Sequence, residues 1–271
     1  MSINIKKFNM NMIKDDEIIV LIGKRNTGKS YLTRDLMFSK KHIPVGTVIS
    51  PTENANKFYS NFVPPLFIHD EYKISITSNF MGRQKKLKKK IMKGDKGINN
   101  SAYLILDDCL YDDTIKKDKV LREIFMNGRH WDIMLILILQ FSMGIPPKLR
   151  GNVDWIFILR ENIISNRKRL YEHYAGMFPT FDIFCSVMDE CTNDYECLVV
   201  HCSSRSNKLE EQVYWYKADS HGDFRTCIDE AWKFSEENYI EESEQNEEAY
   251  SVDEYIKSKR KGPHFKIKKT L

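Results

Sequence analysis

The run GKRNTGKS at residues 23–30 gathers the side chains best suited to chemistry in this chain. It fits the spacing GxxxxGK[ST], in which glycines let the backbone curl until consecutive N–H groups face one anion. Lys29 has the reach to bring an ammonium to the outer phosphates of a triphosphate, and Ser30 offers a hydroxyl of the kind that helps hold Mg²⁺. Contacts to ATP are therefore expected from Gly23, Lys24, Arg25, Asn26, Thr27, Gly28, Lys29 and Ser30. The plain alternative is a polar turn. Its flanks argue against that: the apolar run Ile18–Ile22 precedes it, and a stretch carrying Tyr31, Leu32, Leu36 and Met37 follows. A strand before and a helix after is the context the spacing needs, because the helix N-terminus adds its positive end to the cradle.

Two acids, Asp107 and Asp108, follow the apolar run 103–106. An acid at the carboxyl end of a parallel strand lies at the sheet edge where ligands gather. Asp107 is expected to hold Mg²⁺ through a water. Asp108 is the candidate to orient or deprotonate an attacking water. Gln140 ends the run Ile133–Leu139, where a polar side chain can sense a terminal phosphate and help position water; the plainer alternative is a strand-end residue bonding to a loop. Arg129 also has two readings. It caps the carbonyls of a preceding helix, or it acts as an arginine finger on the ATP of a neighbouring subunit. The candidate catalytic set is thus Lys29, Asp108, Gln140 and Arg129, with Ser30 and Asp107 for the metal. Arg150 and Arg160 read as surface or sheet-edge charges.

The elements needed to place these groups are visible around them. Runs at Ile18–Ile22, 103–106, Ile133–Leu139 and 155–159 are continuously apolar and read as strands buried on both faces, and 45–50 reads as a further strand. Helical stretches alternate with them, one over Lys119–Asn127 with Asp118 as N-cap and Gly128 in the left-handed C-terminal position. This βαβα order specifies an α/β fold with a mostly parallel sheet covered on both faces. Beyond Arg160 the texture changes: residues 166–190 read as helices, and 197–202 with 213–216 as a hairpin or edge addition. The expected ATPase domain is 1–235, with core motifs in 16–160 and the helices and hairpin in 161–235. Residues 236–271, an acidic block and then a basic one, read as a flexible tail.

The chain has 271 residues, 42% hydrophobic and 30% charged, enough for a core without staples. The net charge of +4 is unevenly spread, and residues 83–96 concentrate Arg83, Lys85, Lys86, Lys88, Lys89, Lys90, Lys93 and Lys96. Those cations would cover several faces of any helix, so the segment reads as a solvated loop or one that meets a polyanion. No aromatic residue interrupts it, which speaks against a base-stacking platform. The six cysteines form no CxxC pair and the N-terminus is polar, so reduced thiols are expected rather than zinc ligands or disulfides. The longest apolar run, Ile133–Leu139, is too short to span a bilayer, so no integral membrane segment is expected.

Taken together, the strand–GKRNTGKS–helix unit, the strand ending in Asp107–Asp108 and the block NGRHWDIMLILILQ at 127–140 resemble one family. They are similar to the poxvirus-type DNA-packaging ATPases of large DNA viruses and virophages, within the FtsK–HerA superfamily of P-loop ATPases. The resemblance spans roughly residues 16–220. It implies a RecA-like (ASCE) P-loop NTPase fold, with an extra strand between the phosphate-loop strand and the Asp strand. It also implies a hexameric ring that uses ATP and Mg²⁺ to move double-stranded DNA into a preformed capsid. Implied partners are double-stranded DNA, further copies of the chain, and a capsid or portal-vertex component. The implied location is the host-cell cytoplasm or viral factory, with retention in the virion also open. By position, Gln140 would be the sensor and Arg129 the finger in trans. Cellular relatives usually carry Asp-Glu where this chain has Asp107–Asp108, so its candidate base is shorter by one methylene, which implies slower hydrolysis or a base supplied elsewhere, such as Glu53. Two other functions share the phosphate loop: a nucleotide or small-molecule kinase, whose arginine-rich lid residues 166–169 (NRKR) imitate, and a virion-assembly ATPase that does not pump DNA.

Overall fold

Each long apolar run becomes a strand of one sheet. The computed structural model describes residues 3–109, 115, 117–141 and 145–239. In chain order its strands are β1 (Lys6–Lys7), β2 (Ile18–Ile22), β3 (Val45–Ile49), β4 (Ile68–His69) and β5 (Ala102–Asp107). They continue with β6 (Ile133–Leu139), β7 (Trp155–Ile158), β8 (Glu196–His201) and β9 (Val213–Lys217). The helices are α1 (Lys29–Ser39), α2 (Glu53–Asn56), α3 (Ile74–Met92), α4 (Lys119–Asn127), α5 (Pro147–Arg150), α6 (Ile164–Tyr174), α7 (Phe181–Cys191) and α8 (Asp229–Asn238). The sheet order is β1-β9-β8-β7-β2-β6-β5-β3-β4. From β4 to β7 neighbouring strands run parallel; β8 pairs antiparallel with both β7 and β9. β6 therefore separates β2 from β5, as the resemblance implies, and the 197–202 and 213–216 segments form the edge addition.

Side-chain alternation along the strands divides the interior in two. Ile18, Val20 and Ile22 face one core, which α3, α4, α6 and α7 cover with Phe80, Leu121, Ile124, Leu170, Phe184 and Met188. Ile19 and Leu21 face the other, against Leu32, Leu36 and Met37 of α1 together with Phe8, Tyr59 and Phe62. Successive residues of a strand point to opposite faces, so a strand without polar positions must be buried on both. All five residues of β2 and all seven of β6 are buried.

Two expectations fail locally. The basic segment 83–96 is not a loop: most of it lies in α3, which buries Thr77, Phe80, Met81 and Gln84 at helical spacing. Its lysines outnumber those contacts and mask the pattern. Buried Gln84 donates to the carbonyls of Asn100 (2.5 Å) and Trp131 (3.0 Å), and Lys85 and Lys88 pair with Glu123 and Asp132 at 2.7 Å each. Gly128, likewise, is not a left-handed cap. Its φ of −52° continues α4 into the single turn Gly128–Trp131, and the left-handed residue is Asp132 at φ 52°. Asp118 does cap α4, accepting from Val120 N at 2.7 Å. The compact unit extends to Glu237, and the acidic and basic blocks of the expected tail lie, from residue 240 on, outside the described residues.

Gly46 of β3 is opposite Tyr103 of β5, and a Cβ there would lie 1.9 Å from the Tyr103 ring. That ring is fully buried and its hydroxyl is hydrogen-bonded to Thr226 Oγ1 at 2.8 Å, so it has no room to yield. Gly46→Ala is expected to destabilise the fold by about 3 kcal/mol, read as a lower midpoint of urea denaturation with an unchanged slope.

Candidate active site

β2 hands the chain to residues 23–30 at its carboxyl end. Gly23 N still donates to Leu139 O at 3.0 Å, so sheet pairing extends into the first residue of the loop. A Cβ on Gly23 would come within 2.6 Å of Thr27 Oγ1 and 2.9 Å of Leu159 Cβ, which explains the first glycine. The second, Gly28, has φ 101° and forms the N-cap of α1, a conformation costly to any residue with a Cβ. Asn26 also sits at positive φ, 61°, which its short polar side chain tolerates. Thr27 Oγ1 donates to Lys24 O at 2.7 Å and closes the loop on itself.

The Lys29 ammonium folds over this curl. It donates to the carbonyl of Gly23 and, at 2.8 Å, to that of Lys24. Burial pulls its pKa below the usual lysine value, while the charges of Asp107 and Asp108 oppose that fall. Lys24 turns outward and pairs at 2.5 Å with Glu161, a carboxylate fixed by Ile163 N (2.8 Å) and Asn166 Nδ2 (3.0 Å). Arg25 and Ser30 are exposed at the mouth.

β5 brings Asp107 to the same edge, and the chain then turns at Asp108, whose φ is 53°. Asp108 N donates to Ile138 O at 2.9 Å, and its Oδ2 accepts from Gln140 Nε2 at the end of β6. Burial raises the Asp108 carboxyl; the Gln140 bond, Lys29 and Arg25 pull it down. Burial likewise pushes Asp107 up to about 6, assisted by the neighbouring Asp108 charge and opposed by Tyr59 and Lys29. The structure thus gathers the loop, Asp107, Asp108 and Gln140 at the carboxyl ends of β2, β5 and β6.

Arg129 is not among them. It stands before β6, and its Nη2 donates to Asp154 Oδ1 at 2.8 Å while Asp154 Oδ2 accepts from Ile18 N at 2.9 Å. That is the amino end of β2, roughly 16 Å of strand from the loop. Arg150 and Arg160 make local bonds, to Ile145 O (3.0 Å) and Asn162 Oδ1 (3.2 Å). Arg160 also lines a narrow cleft shared with Gly23 and Gln140.

Glu53 is buried, and its two carboxylate oxygens accept from Tyr59 N and Ser60 N at 2.9 Å each. It therefore holds a turn rather than facing the loop. That turn delivers the residue sequence reasoning missed: Tyr59, fully buried, donates its hydroxyl to Asp107 Oδ2 at 2.9 Å. The two are 48 positions apart and no motif links them, so nothing in the sequence signals the pair. Among the described residues, no group of three His, Cys, Asp or Glu side chains could hold a metal. Mg²⁺ does not need one, since it binds through one or two protein oxygens plus substrate phosphates. Ser30 and Asp107 fit that pattern: both offer hard oxygens, and the Asp107 carboxylate is destabilised by burial and a like-charged neighbour, a situation a cation relieves.

A mostly parallel sheet with this loop at a central strand defines the P-loop NTPase fold. The chain belongs to the poxvirus A32 protein family, whose profile matches residues 5–219. Protein 075L of Invertebrate iridescent virus 6 is 42% identical over 248 residues, covering 90% of this chain and 94% of the relative. Protein L437 of Acanthamoeba polyphaga mimivirus is 41% identical over 217 residues, 78% of this chain and 76% of that one. Among solved structures, the genome packaging NTPase B204 from Sulfolobus turreted icosahedral virus 2, in complex with AMPPCP, has a TM-score of 0.54 at 17% identity. That match covers 76% of this chain and 100% of B204 and shows a common fold. Among the described residues no helix is long and apolar enough to cross a membrane.

Tyr59→Phe keeps the ring that packs on Phe58 and Phe62 but removes the donor to Asp107. ATP turnover is expected to fall about ten-fold, the scale of one hydrogen bond to a charged group. The Mg²⁺ needed for half-maximal turnover should rise. Unchanged Mg²⁺ dependence would show that Tyr59 serves packing alone.

Proposed function

We propose that the protein is an ATP-hydrolysing motor that drives double-stranded DNA into a preformed viral capsid. The observation that carries this reading is the division of charge between two edges of one sheet. The phosphate loop, two acids and Gln140 share the carboxyl edge, while Arg129 is fixed at the opposite one. An arginine so placed cannot serve its own loop but suits a neighbour's in a ring, for which we take six subunits as the expected number. Membership of the A32 family and the shared fold with a viral genome packaging NTPase support this reading. The infected-cell cytoplasm and a portal-vertex partner follow from it.

In this scheme the N–H groups of residues 23–30 and the Lys29 ammonium take the β- and γ-phosphates. Lys29 exchanges its two carbonyl partners for phosphate oxygens, an exchange favoured because its charge is incompletely matched where it lies. Ser30 and Asp107 would hold Mg²⁺, which supplies charge neutralisation for the phosphates when bound. Asp108 orients the attacking water and accepts its proton, a task suited to a carboxyl raised above its usual range. Gln140 holds Asp108 and is placed to register the terminal phosphate. Arg129 from the next subunit stabilises the charge of the transition state.

The DNA contact falls to α3 and the turn beyond it. Lys85 and Lys88 are paired with acids, whereas Lys86, Lys89, Lys90, Lys93 and Lys96 are exposed. ATPase rates of the purified protein should rise on adding double-stranded DNA, and the stimulation should shrink as salt rises from about 50 to 200 mM, because phosphate contacts release counterions. Turnover indifferent to DNA at both salt levels would overturn the translocase reading and leave an ATPase. Lys29→Ala should abolish turnover, and Arg129→Ala should lower it about a thousand-fold while leaving ATP binding intact. Mixing the two inactive variants should restore activity, since some interfaces then combine an intact loop with an intact arginine. Mixed assemblies that stay inactive would refute the role in trans.

A further inference from the structure

At the amino edge of the sheet an exposed arginine is paired with a buried acid. We propose that the acid, Asp154, is a positioning residue: it grips one nitrogen of the Arg129 guanidinium and aims the remaining N–H groups at the phosphates of a neighbouring subunit. The inference rests on the trans role of Arg129 given above and adds the group that sets its direction.

The sheet places the Asp154 carboxylate. Asp154 N donates to Ile18 O at 2.9 Å, and Asp154 O accepts from Cys202 N at 2.8 Å, so its backbone is tied to β2 on one side and to the end of β8 on the other. Its side chain is 3% exposed. Oδ2 accepts from Ile18 N at 2.9 Å, which leaves Oδ1 for Arg129 Nη2 at 2.8 Å. Beside it lies Glu17, a second buried carboxyl, raised by burial and further by the Asp154 charge. Two buried carboxyl groups at one spot favour a cation at their rim.

Arg129 is held at its other end too. It lies in the turn Gly128–Trp131, where the Trp131 carbonyl accepts from buried Gln84 at 3.0 Å, and Asp132 just beyond pairs with Lys88 at 2.7 Å. Its backbone is thus fixed by α3 and its guanidinium by Asp154. Yet the side chain stays 59% exposed, and its other N–H groups have no partner among the described residues.

Stability alone does not account for this pair. An exposed arginine adds little to a fold, because water screens its charge. Burying a carboxylate is costly unless both oxygens are bonded, and Ile18 N satisfies only one of them. What the arrangement does achieve is direction. A guanidinium is a rigid planar fork, so fixing one nitrogen fixes where the others point. A lysine has a single charged nitrogen and lacks a second one to offer a phosphate while the first holds the acid. Without Asp154 the long side chain would spread over many rotamers and occupy the neighbour's site for part of the time only.

Turnover and ATP affinity would be measured for Asp154→Asn, Arg129→Ala and the double variant, and turnover for equal mixtures of each single variant with Lys29→Ala. Asparagine keeps the size of the side chain and an oxygen for Ile18 N, but turns an NH2 group toward Arg129. Asp154→Asn should lower turnover about ten-fold, the scale of one hydrogen bond between charged groups, and change ATP affinity by less than about two-fold. Added to Arg129→Ala it should cost less than about two-fold more, because nothing is left to position. Mixing Asp154→Asn with Lys29→Ala should raise turnover per intact loop about five-fold, since half of those loops then face an unaltered Asp154–Arg129 pair. A distortion of β2 would instead injure the variant's own loop, and mixing would not relieve it. Wild-type turnover in Asp154→Asn, loss of its ATP binding, or a further loss of about ten-fold on top of Arg129→Ala would each overturn the positioning role. So would the absence of a gain on mixing Asp154→Asn while the Arg129→Ala mixture is active. If the Arg129→Ala mixture also stays inactive, the trans reading itself fails and this inference falls with it.

Discussion

The pairing of β2 on both sides is the constraint on which the rest of the molecule depends. β6 takes one edge, from Ile18 to Ile22, and β7 the other, from Ile19 to Ile22. Backbone bonds continue past the strand's ends: Asp154 N and Leu159 N donate to the carbonyls of Ile18 and Ile22, and Gly23 N donates to Leu139 O. A strand held this way leaves the chain a single exit direction. The loop at residues 23–30 needs that fixity, because an anion cradle made of backbone N–H groups works only where the backbone does not relax around the charge.

Charge at the carboxyl edge is balanced rather than neutral. Two carboxylates, Asp107 and Asp108, follow one another, and burial raises both. What keeps them in place is a donor from a separate part of the chain for each, Tyr59 for the first and Gln140 for the second, while the Lys29 charge favours the ionised form of both. Every one of these partners is itself held. Tyr59 hangs from Glu53 through its own N–H, Gln140 ends a fully buried strand, and Lys29 donates into the loop. The site is stiff because its second layer is satisfied, which is the condition for charges to do work on a substrate rather than on each other.

How much of this was legible follows from the range of the interactions. Apolar runs such as Ile133–Leu139 announce their strands because burial on both faces leaves no polar position to confuse the pattern. The phosphate loop is equally plain, since curl, ammonium and hydroxyl occupy eight consecutive residues. Information carried by few residues among many is lost. In α3 four buried side chains specify the helix, yet the surrounding lysines dominate the composition. Gly128 suggested a cap because glycine so often ends helices, but here the chain tightens into one further turn before Asp132 reverses it. Contacts between distant segments leave no local trace at all. Tyr59 with Asp107, and Asp35 with the segment after β9, depend on the sheet order, which a strand pattern alone does not state.

The same strand joins the two edges of the sheet. Asp154, 3% exposed in its side chain, holds Arg129 with one oxygen and the first N–H of β2 with the other. Beside it, Glu17 accepts from Trp155 Nε1 at 2.7 Å and Lys14 N at 2.9 Å, and burial raises its carboxyl. Arg129 is therefore referenced to β2 through two short bonds, and the phosphate loop is referenced to β2 covalently. In the proposed ring this makes each subunit a rigid ruler between the site it owns and the site it completes.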